Sequence, residues 1–368
     1  MATKTKTRTG ITLSASELKA ALAAVAPAIA GRGPKPVLQN VRIGAGLMSA
    51  TDLEVRIDTV LDYHGDPLLL PHGRLAAILS ASVGGDVVLE PRDSSCVVRI
   101  GRGEWTLPTE DAQEFPTWEP TGLRPVTRLP ADQFHRAVTA VAHSTDNESS
   151  RYALGAVLVD VKDGVVNFVA TDGRRLSVSE CEHDLAVDDG QTLVPGRAMA
   201  ILSRLAAAAG DDSVQLEADT ATVKAEIGSH TVTARLTEGR FPRWREVLPA
   251  DGPDPTTVTG SELLSATRAA AIVASEQSRG VDYTFTKEGL HLHGRSSELG
   301  ESSVTCEIVE FGHACTVKLD PAFVREWLQG LPADGEPTVS VQAKDKASAV
   351  VMRCDNYTGV IMPLDPEA

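Results

Sequence analysis

The chain has 368 residues, 42% hydrophobic and 23% charged, a balance that excludes wholesale disorder. Aromatic residues make up only 4%, so the cores must be built from Ala, Val, Leu and Ile. Thirty-five Lys and Arg against 50 Asp and Glu give a net charge of −15, and a uniformly acidic surface would repel nucleic acid or an anionic membrane.

The predicted elements follow in chain order. A helix over 17–30 begins at Ser16-Glu17-Leu18, a Ser cap with an acidic first turn, and carries Leu18, Leu22, Val25 and Ile29 on one face. A second helix, 71–82, opens with Pro71, which suits a first turn. The third, 131–143, follows Pro130-Ala131-Asp132 and presents Phe134, Val138 and Val141 together. The period then switches to two: 157–161 and 165–170 flank Asp163-Gly164, a hairpin signal. A helix over 195–209 opens with Pro195, and 213–218, 221–227 and 231–236 read as short strands. A helix over 261–279 begins at Ser261-Glu262-Leu263, and another over 321–331 has Val324, Trp327, Leu328 and Leu331 as its buried stripe. Strands over 338–342, 350–354 and 358–362 complete the chain.

These elements repeat at domain scale. Phe115-Pro116-Thr117-Trp118 recurs as Phe241-Pro242-Arg243-Trp244, 126 residues later. Ala50-Thr51-Asp52 recurs as Ala170-Thr171-Asp172 after 120 residues, and the 75–80 stretch finds an echo at 198–203 after 123. Each copy reads as helix, strands, helix, strands, joined by hairpins, which is an antiparallel α+β domain used three times. Turn-rich stretches near Pro125 and Gly252-Pro253 place the domains at 1–125, 126–251 and 252–368.

No apolar run reaches the roughly 18 residues of a membrane span. The N-terminus MATKTKTRTG lacks the apolar segment of a secretory signal. Five scattered cysteines (Cys96, Cys181, Cys306, Cys315 and Cys354), with no CxxC, suit a reducing cytoplasm and no zinc cluster. Charge is segregated: the six predicted helices carry eight basic and five acidic residues, three of the latter in caps or first turns. The helices thus net +3 while the rest of the chain nets −18, a modest form of the asymmetry that nucleic-acid contact demands, although charge alone reads more simply as ordinary solvated helix faces.

The order of these motifs resembles the bacterial sliding clamp family, the β subunit of DNA polymerase III. The motifs that carry the resemblance are Arg151-Tyr152-Ala153-Leu154-Gly155, the run 169–176 from Val169 to Leu176, Glu238-Gly239-Arg240-Phe241-Pro242, and Val360-Ile361-Met362-Pro363-Leu364. Pro36-Val37-Leu38 adds weaker support. The resemblance implies three clamp-fold domains per chain and a head-to-tail dimeric ring that slides on duplex DNA without reading bases. It implies DNA contacts from Lys19, Arg32, Arg74, Arg136, Tyr152, Arg197, Arg204 and Arg268. It further implies a cleft that takes short linear peptides from the DNA polymerase III α subunit, the clamp loader and repair polymerases. The matching cleft residues are Leu154, Thr171, Gly173, Arg175, Leu176, Pro242, Val247, Val360, Ile361, Met362, Pro363 and Leu364. Ile272 and Val273 match the dimer interface, and the implied protein is a cytoplasmic, nucleoid-associated processivity factor with no cofactor, metal, membrane partner or catalytic residues.

The sequence departs from the family in about eight extra residues before the first helix, the tail Asp365-Pro366-Glu367-Ala368, Glu246, and Glu148 in a loop near DNA. The first three bear on ends and cleft rim, and make that rim more acidic. An enzyme reading lacks a constellation: His291-Leu292-His293 puts two imidazoles on one strand face without a third ligand, and Gly101-Arg102-Gly103 lacks the rest of a phosphate loop. A repeat-domain ligand- or protein-binding scaffold without DNA encirclement fits the repeats and acidity but not the basic helices.

Overall fold

The computed structural model describes residues 10–364 except 32, 34, 83, 147–152, 183–186, 250–251, 275–279 and 333–334. Arg32, Glu148, Arg151, Tyr152, Glu276, Arg279 and the 365–368 tail therefore lie outside the described residues. The chain forms two compact units, Met1–Pro125 with Ala208–Arg235, and Val126–Ala207 with Leu236–Ala368.

The helices are α1 (Ala15–Val25), α2 (His72–Ala81), α3 (Ala131–Ala142), α4 (Gly196–Ala207), the single turn α5 (Trp244–Val247), α6 (Gly260–Ala270) and α7 (Pro321–Gln329). Their apolar faces are buried as the periodicity requires: Leu18, Leu22 and Val25 on α1, Phe134, Val138 and Val141 on α3, Val324, Trp327 and Leu328 on α7. Several ends differ from expectation. Pro27 cannot continue a helix, so α1 passes into a 3-10 turn over Ala26–Ala28 and Ile29 lies beyond it. Likewise α6 ends at Ala270 before a 3-10 turn, Ala271–Val273, and Leu331 lies past the end of α7.

Capping is corrected too. The α1 cap is Ser14, whose hydroxyl accepts from the Glu17 amide, and Ser16 is already inside the helix. Asp132 and Ser261 also sit within first turns, where an acidic or polar side chain faces the helix dipole without capping it. Pro71 and Pro195 precede α2 and α4, and Pro321 alone occupies a first turn, behind the capping Asp320.

Each repeat also has a lead strand that periodicity missed: Ile11–Ser14, Arg124–Pro130 and Thr256–Thr259. The repeat is strand, helix, four strands, helix, three strands. Within the four-strand set the last strand returns beside the first, as in Leu68–Pro71, Asn40–Gly44, Leu47–Thr51, Val55–Val60, a Greek-key order. In the 156–171 hairpin, Asp163 and Gly164 both take positive φ, +53° and +81°, the pair that a tight two-residue turn requires. The third strand of a four-strand set then pairs with the last strand of the following repeat. Val55–Val60 pairs with His230–Arg235 in one unit, and Arg175–Glu182 with Tyr357–Ile361 in the other. Among the described residues two eight-stranded sheets result, with a four-stranded sheet in each unit.

Candidate functional site

The joint between Arg175–Glu182 and Tyr357–Ile361 holds a buried apolar cluster that includes two of the expected cleft residues, Leu176 and Val360. Leu176 stands opposite Val360, and both pack with Leu158, Val169, Val178, Phe241, Trp244 and Val351, flanked by Leu193, Leu248 and Ala349. The Phe-Pro-x-Trp repeat thus lays two aromatics across the sheet face. Trp244 is held there by donating Nε1–H to Asp160 at 2.8 Å, and Arg245 pairs with the same carboxylate while lying 4.2 Å from the indole centroid. Asp160 is buried but receives two donors, which meets the cost of its desolvation.

The predicted cleft residues divide by exposure. Leu154, Thr171, Leu176, Val360 and Ile361 are buried, Pro242, Pro363 and Leu364 are half-buried, and Val247 and Met362 are open at 46% and 43%. The tail is tied down by two main-chain bonds of 2.9 Å, Met362 N–H to the Arg174 carbonyl and Leu364 N–H to the Lys318 carbonyl. Leu154 lies outside the apolar cluster, although its neighbour Ala153 abuts Gly239 at the approach to Phe241. Gly173, at φ +86°, turns the loop that carries Arg175. Arg175 itself is only 11% exposed and points inward, to Asp172, Glu326 and the His143 carbonyl. Exposed Val247 ends the turn that begins at buried Trp244, and exposed Met362 follows buried Ile361, so each wall offers an apolar side chain that suits an aliphatic or aromatic anchor.

The chain carries a repeat-equivalent groove, and its chemistry differs. Matched by strand register, the positions of Leu158, Val169, Leu176, Val178, Val351 and Val360 fall on Arg42, Ser49, Arg56, Asp58, Lys224 and Thr233. There Arg56 pairs with Asp58 at 2.8 Å and Lys224 with Glu226 at 2.6 Å. Phe115 and Trp118 keep the aromatic places, with Arg56 and Arg235 over their rings at 5.9 and 5.6 Å. An apolar anchor seated on that surface would desolvate ion pairs for no return.

Of the predicted DNA-contacting residues, Lys19, Arg74, Arg136, Arg197, Arg204 and Arg268 all sit on exposed helix faces. Arg136 pairs with Asp132 four residues back at 2.7 Å, with both side chains about 60% exposed, so the pair holds it weakly. Ile272 is 77% exposed and Val273 half-buried, on the 3-10 turn that packs beside strand Gly300–Cys306. Among the described residues no three His, Cys, Asp or Glu converge on a metal position. His291 meets Thr305 at 3.2 Å, and His293 lies 4.0 Å from Glu301. All five thiols are free.

A family profile described as the DNA polymerase III beta subunit, central domain, matches residues 128–243. The beta sliding clamp of Escherichia coli K12 is 25% identical, with 96% of this chain and 99% of the relative covered. That of Vibrio cholerae is 26% identical with the same coverage. The chain is similar over nearly its whole length to bacterial beta sliding clamps. Solved sliding clamps share the fold: that of Pseudomonas aeruginosa bound to griselimycin gives a TM-score of 0.90 at 24% identity, covering 97% and 99% of the two chains. The Caulobacter crescentus clamp, with a polyethylene glycol in the region assigned to beta-motif tethering, gives 0.86 at 24% identity, again over 97% and 99%.

The joint is braced by a histidine that sequence reasoning passed over. His143 approaches Tyr357 Oη at 3.1 Å with Nε2 and Ser144 Oγ at 3.2 Å with Nδ1. Burial first, and then the Arg175 guanidinium, push its pKa down from 6.5 to about 4, against smaller opposing pulls from Glu326 and Asp172. The unfolded chain therefore takes up a proton between pH 6.5 and about 4 that the folded chain refuses. This contribution is fully present above pH 6.5 and is lost as pH falls toward 4, a swing of ~2–3 kcal/mol. Urea unfolding at pH 7 and pH 4.5 should show a larger stability loss for wild type than for His143→Asn.

Proposed function

We propose that two copies of this clamp close head to tail into a ring around duplex DNA and tether polymerases through the apolar cleft. One observation carries the ring: a strand joint used twice and left open at both ends. Val55–Val60 and Arg175–Glu182 each find the last strand of the next repeat, but Gly300–Cys306, the corresponding strand of the third repeat, is a sheet edge. So is Gly103–Pro108, the last strand of the first repeat. Pairing these two edges between copies repeats the same joint, satisfies two exposed rows of backbone groups, and closes the heterologous contact. On this reading the chain has three clamp domains, 1–125, 126–251 and 252–368.

The basic helix faces then attract phosphates without base readout, which permits sliding. Arg32 and Tyr152 belong to the same proposed contact set. The cleft would receive peptides from the DNA polymerase III α subunit, the clamp loader and repair polymerases. The ring acts as an accessory factor rather than an enzyme, in the cytoplasm with the nucleoid. Changing Arg74, Arg197 and Arg204 together to Glu should weaken DNA association while far-ultraviolet circular dichroism stays unchanged. In wild type, affinity should fall with salt at a slope set by a few phosphates. Salt-independent or sequence-specific binding would sink the sliding reading.

A further inference from the structure

One loop occurs twice in this chain, and only one copy sends an arginine out of it. In the cleft copy, Thr171 Oγ1 donates to the Arg175 carbonyl at 2.6 Å and accepts from Gly173 N–H at 3.1 Å. Asp172 Oδ1 accepts from the Arg174 and Arg175 amides at 2.9 and 3.0 Å. The first repeat builds the same turn from Thr51 and Asp52, with bonds of 3.0 Å to the Val55 carbonyl and from the Leu53 amide. Its Asp52 accepts from the Glu54 and Val55 amides at 3.0 and 2.9 Å, and Leu53 takes φ +81° where Gly173 takes +86°. The turn therefore folds with valine in the arginine's place. Shaping the loop is not what Arg175 is for.

Its guanidinium is used in three directions instead. Nε donates to Asp172 at 2.9 Å, one terminal nitrogen pairs with Glu326, the other donates to the His143 carbonyl, and the plane lies 4.3 Å from the Phe323 ring centroid. Glu326 and Phe323 belong to α7. Next to Glu326 on that helix, Trp327 stacks on Tyr357 at 4.6 Å and 11°, at the start of the strand that runs into Val360 and Met362. Met362 N–H returns to the Arg174 carbonyl. The contacts form a closed circuit: cleft loop, α7, last strand, tail, cleft loop. The two cleft walls, 171–176 and 360–364, come from opposite sides of that circuit.

We infer that Glu326 is a positioning residue for the cleft, acting through Arg175 to fix the spacing between its two walls. This rests on the peptide-binding reading above. Without Glu326, a largely buried guanidinium keeps one carboxylate and the Phe323 ring but loses its ion pair to α7, so the tail wall is held less firmly relative to the loop wall. Glu326 itself need not touch the peptide.

The test is calorimetry on the full chain with a synthetic peptide copying the C-terminus of a polymerase III α chain, with thermal unfolding measured in parallel. Glu326→Ala should weaken the peptide about tenfold, Glu326→Gln, which keeps an acceptor, should lose less, and unfolding temperatures should change little. Arg175→Ala should cost a similar factor, and the double variant no more than the larger single loss, because both act through one contact. A wild-type affinity in Glu326→Ala, or losses that multiply in the double variant, overturns the inference. So does a drop in unfolding temperature with affinity intact, which marks a purely structural role. If Glu326→Ala does not fold, Glu326→Gln alone carries the comparison. Met362→Ala with Pro363→Ala serves as the control: peptide bound equally by that variant, or not bound by wild type, refutes the cleft reading rather than the role of Glu326.

Discussion

Changing Ile272 and Val273 together to Ala should convert the particle from dimer to monomer, halving its mass by light scattering. Ile272 holds its side chain 77% open to solvent, an uncommon state for a large aliphatic residue. It lies beside Gly300–Cys306, whose outer edge pairs with no strand among the described residues. An apolar anchor next to an open strand edge is the arrangement in which main-chain bonds set the register and side-chain burial supplies the affinity. Truncating both side chains removes a desolvated patch of ~2–4 kcal/mol, raising the dimer dissociation constant by about two decades. Neither side chain is fully buried in the chain itself, so circular dichroism and unfolding of the monomer should stay near wild type. A dimer unchanged at micromolar concentration would remove this turn from the interface.

Met362→Ala with Pro363→Ala should abolish measurable binding of a polymerase C-terminal peptide while leaving the dimer intact. The cleft draws one wall from Leu176, Trp244 and Leu248 and the other from Val360 and the tail after it. Met362 is the more exposed of the tail side chains, at 43%, and its amide is fixed by the Arg174 carbonyl, so its side chain is presented rather than buried. Losing contact over roughly 100 Å² of an anchoring Leu or Phe costs ~2.5 kcal/mol, or nearly two decades of affinity. Pro363→Ala also frees the tail backbone, adding an ordering cost on binding. Because the last strand ends at Ile361, its pairing survives the substitutions. Equal binding by wild type and variant would move the partner surface elsewhere, with the acidic residues after Leu364 the first place to look.

How far the sequence reaches depends on the length scale of each signal. Helix faces are legible because Leu18, Leu22 and Val25, or Phe134, Val138 and Val141, recur within three turns. The lead strands are not, since Ile11–Ser14 and Thr256–Thr259 are four residues each, too short to alternate. Arg124–Pro130 holds two prolines, one near its start and one at its end, and so reads as a boundary although it is a strand. The Phe-Pro-x-Trp repeat marks Phe241 and Trp244 as paired features, but their place over the sheet follows only once Trp244 is seen bonded to Asp160, 84 residues away. The partner of Arg175 is hidden more deeply. Glu326 lies 151 residues on, in a helix where it reads as an ordinary solvated charge. Nor does spacing alone show that one groove is apolar and its repeat-equivalent salt-bridged. That contrast needs the strand registers, which set Leu176 against Val360 and Arg56 against Thr233.

Retention on circular DNA tests the clamp reading most directly. The protein is loaded by a bacterial clamp loader and ATP onto a nicked circular duplex, freed of loader by gel filtration, and followed before and after one restriction cut. Co-elution with the circle is expected at a salt concentration that abolishes ordinary electrostatic binding, with release once the ends are made. Retention that is the same on circle and linear duplex, or absent from both, would contradict encirclement.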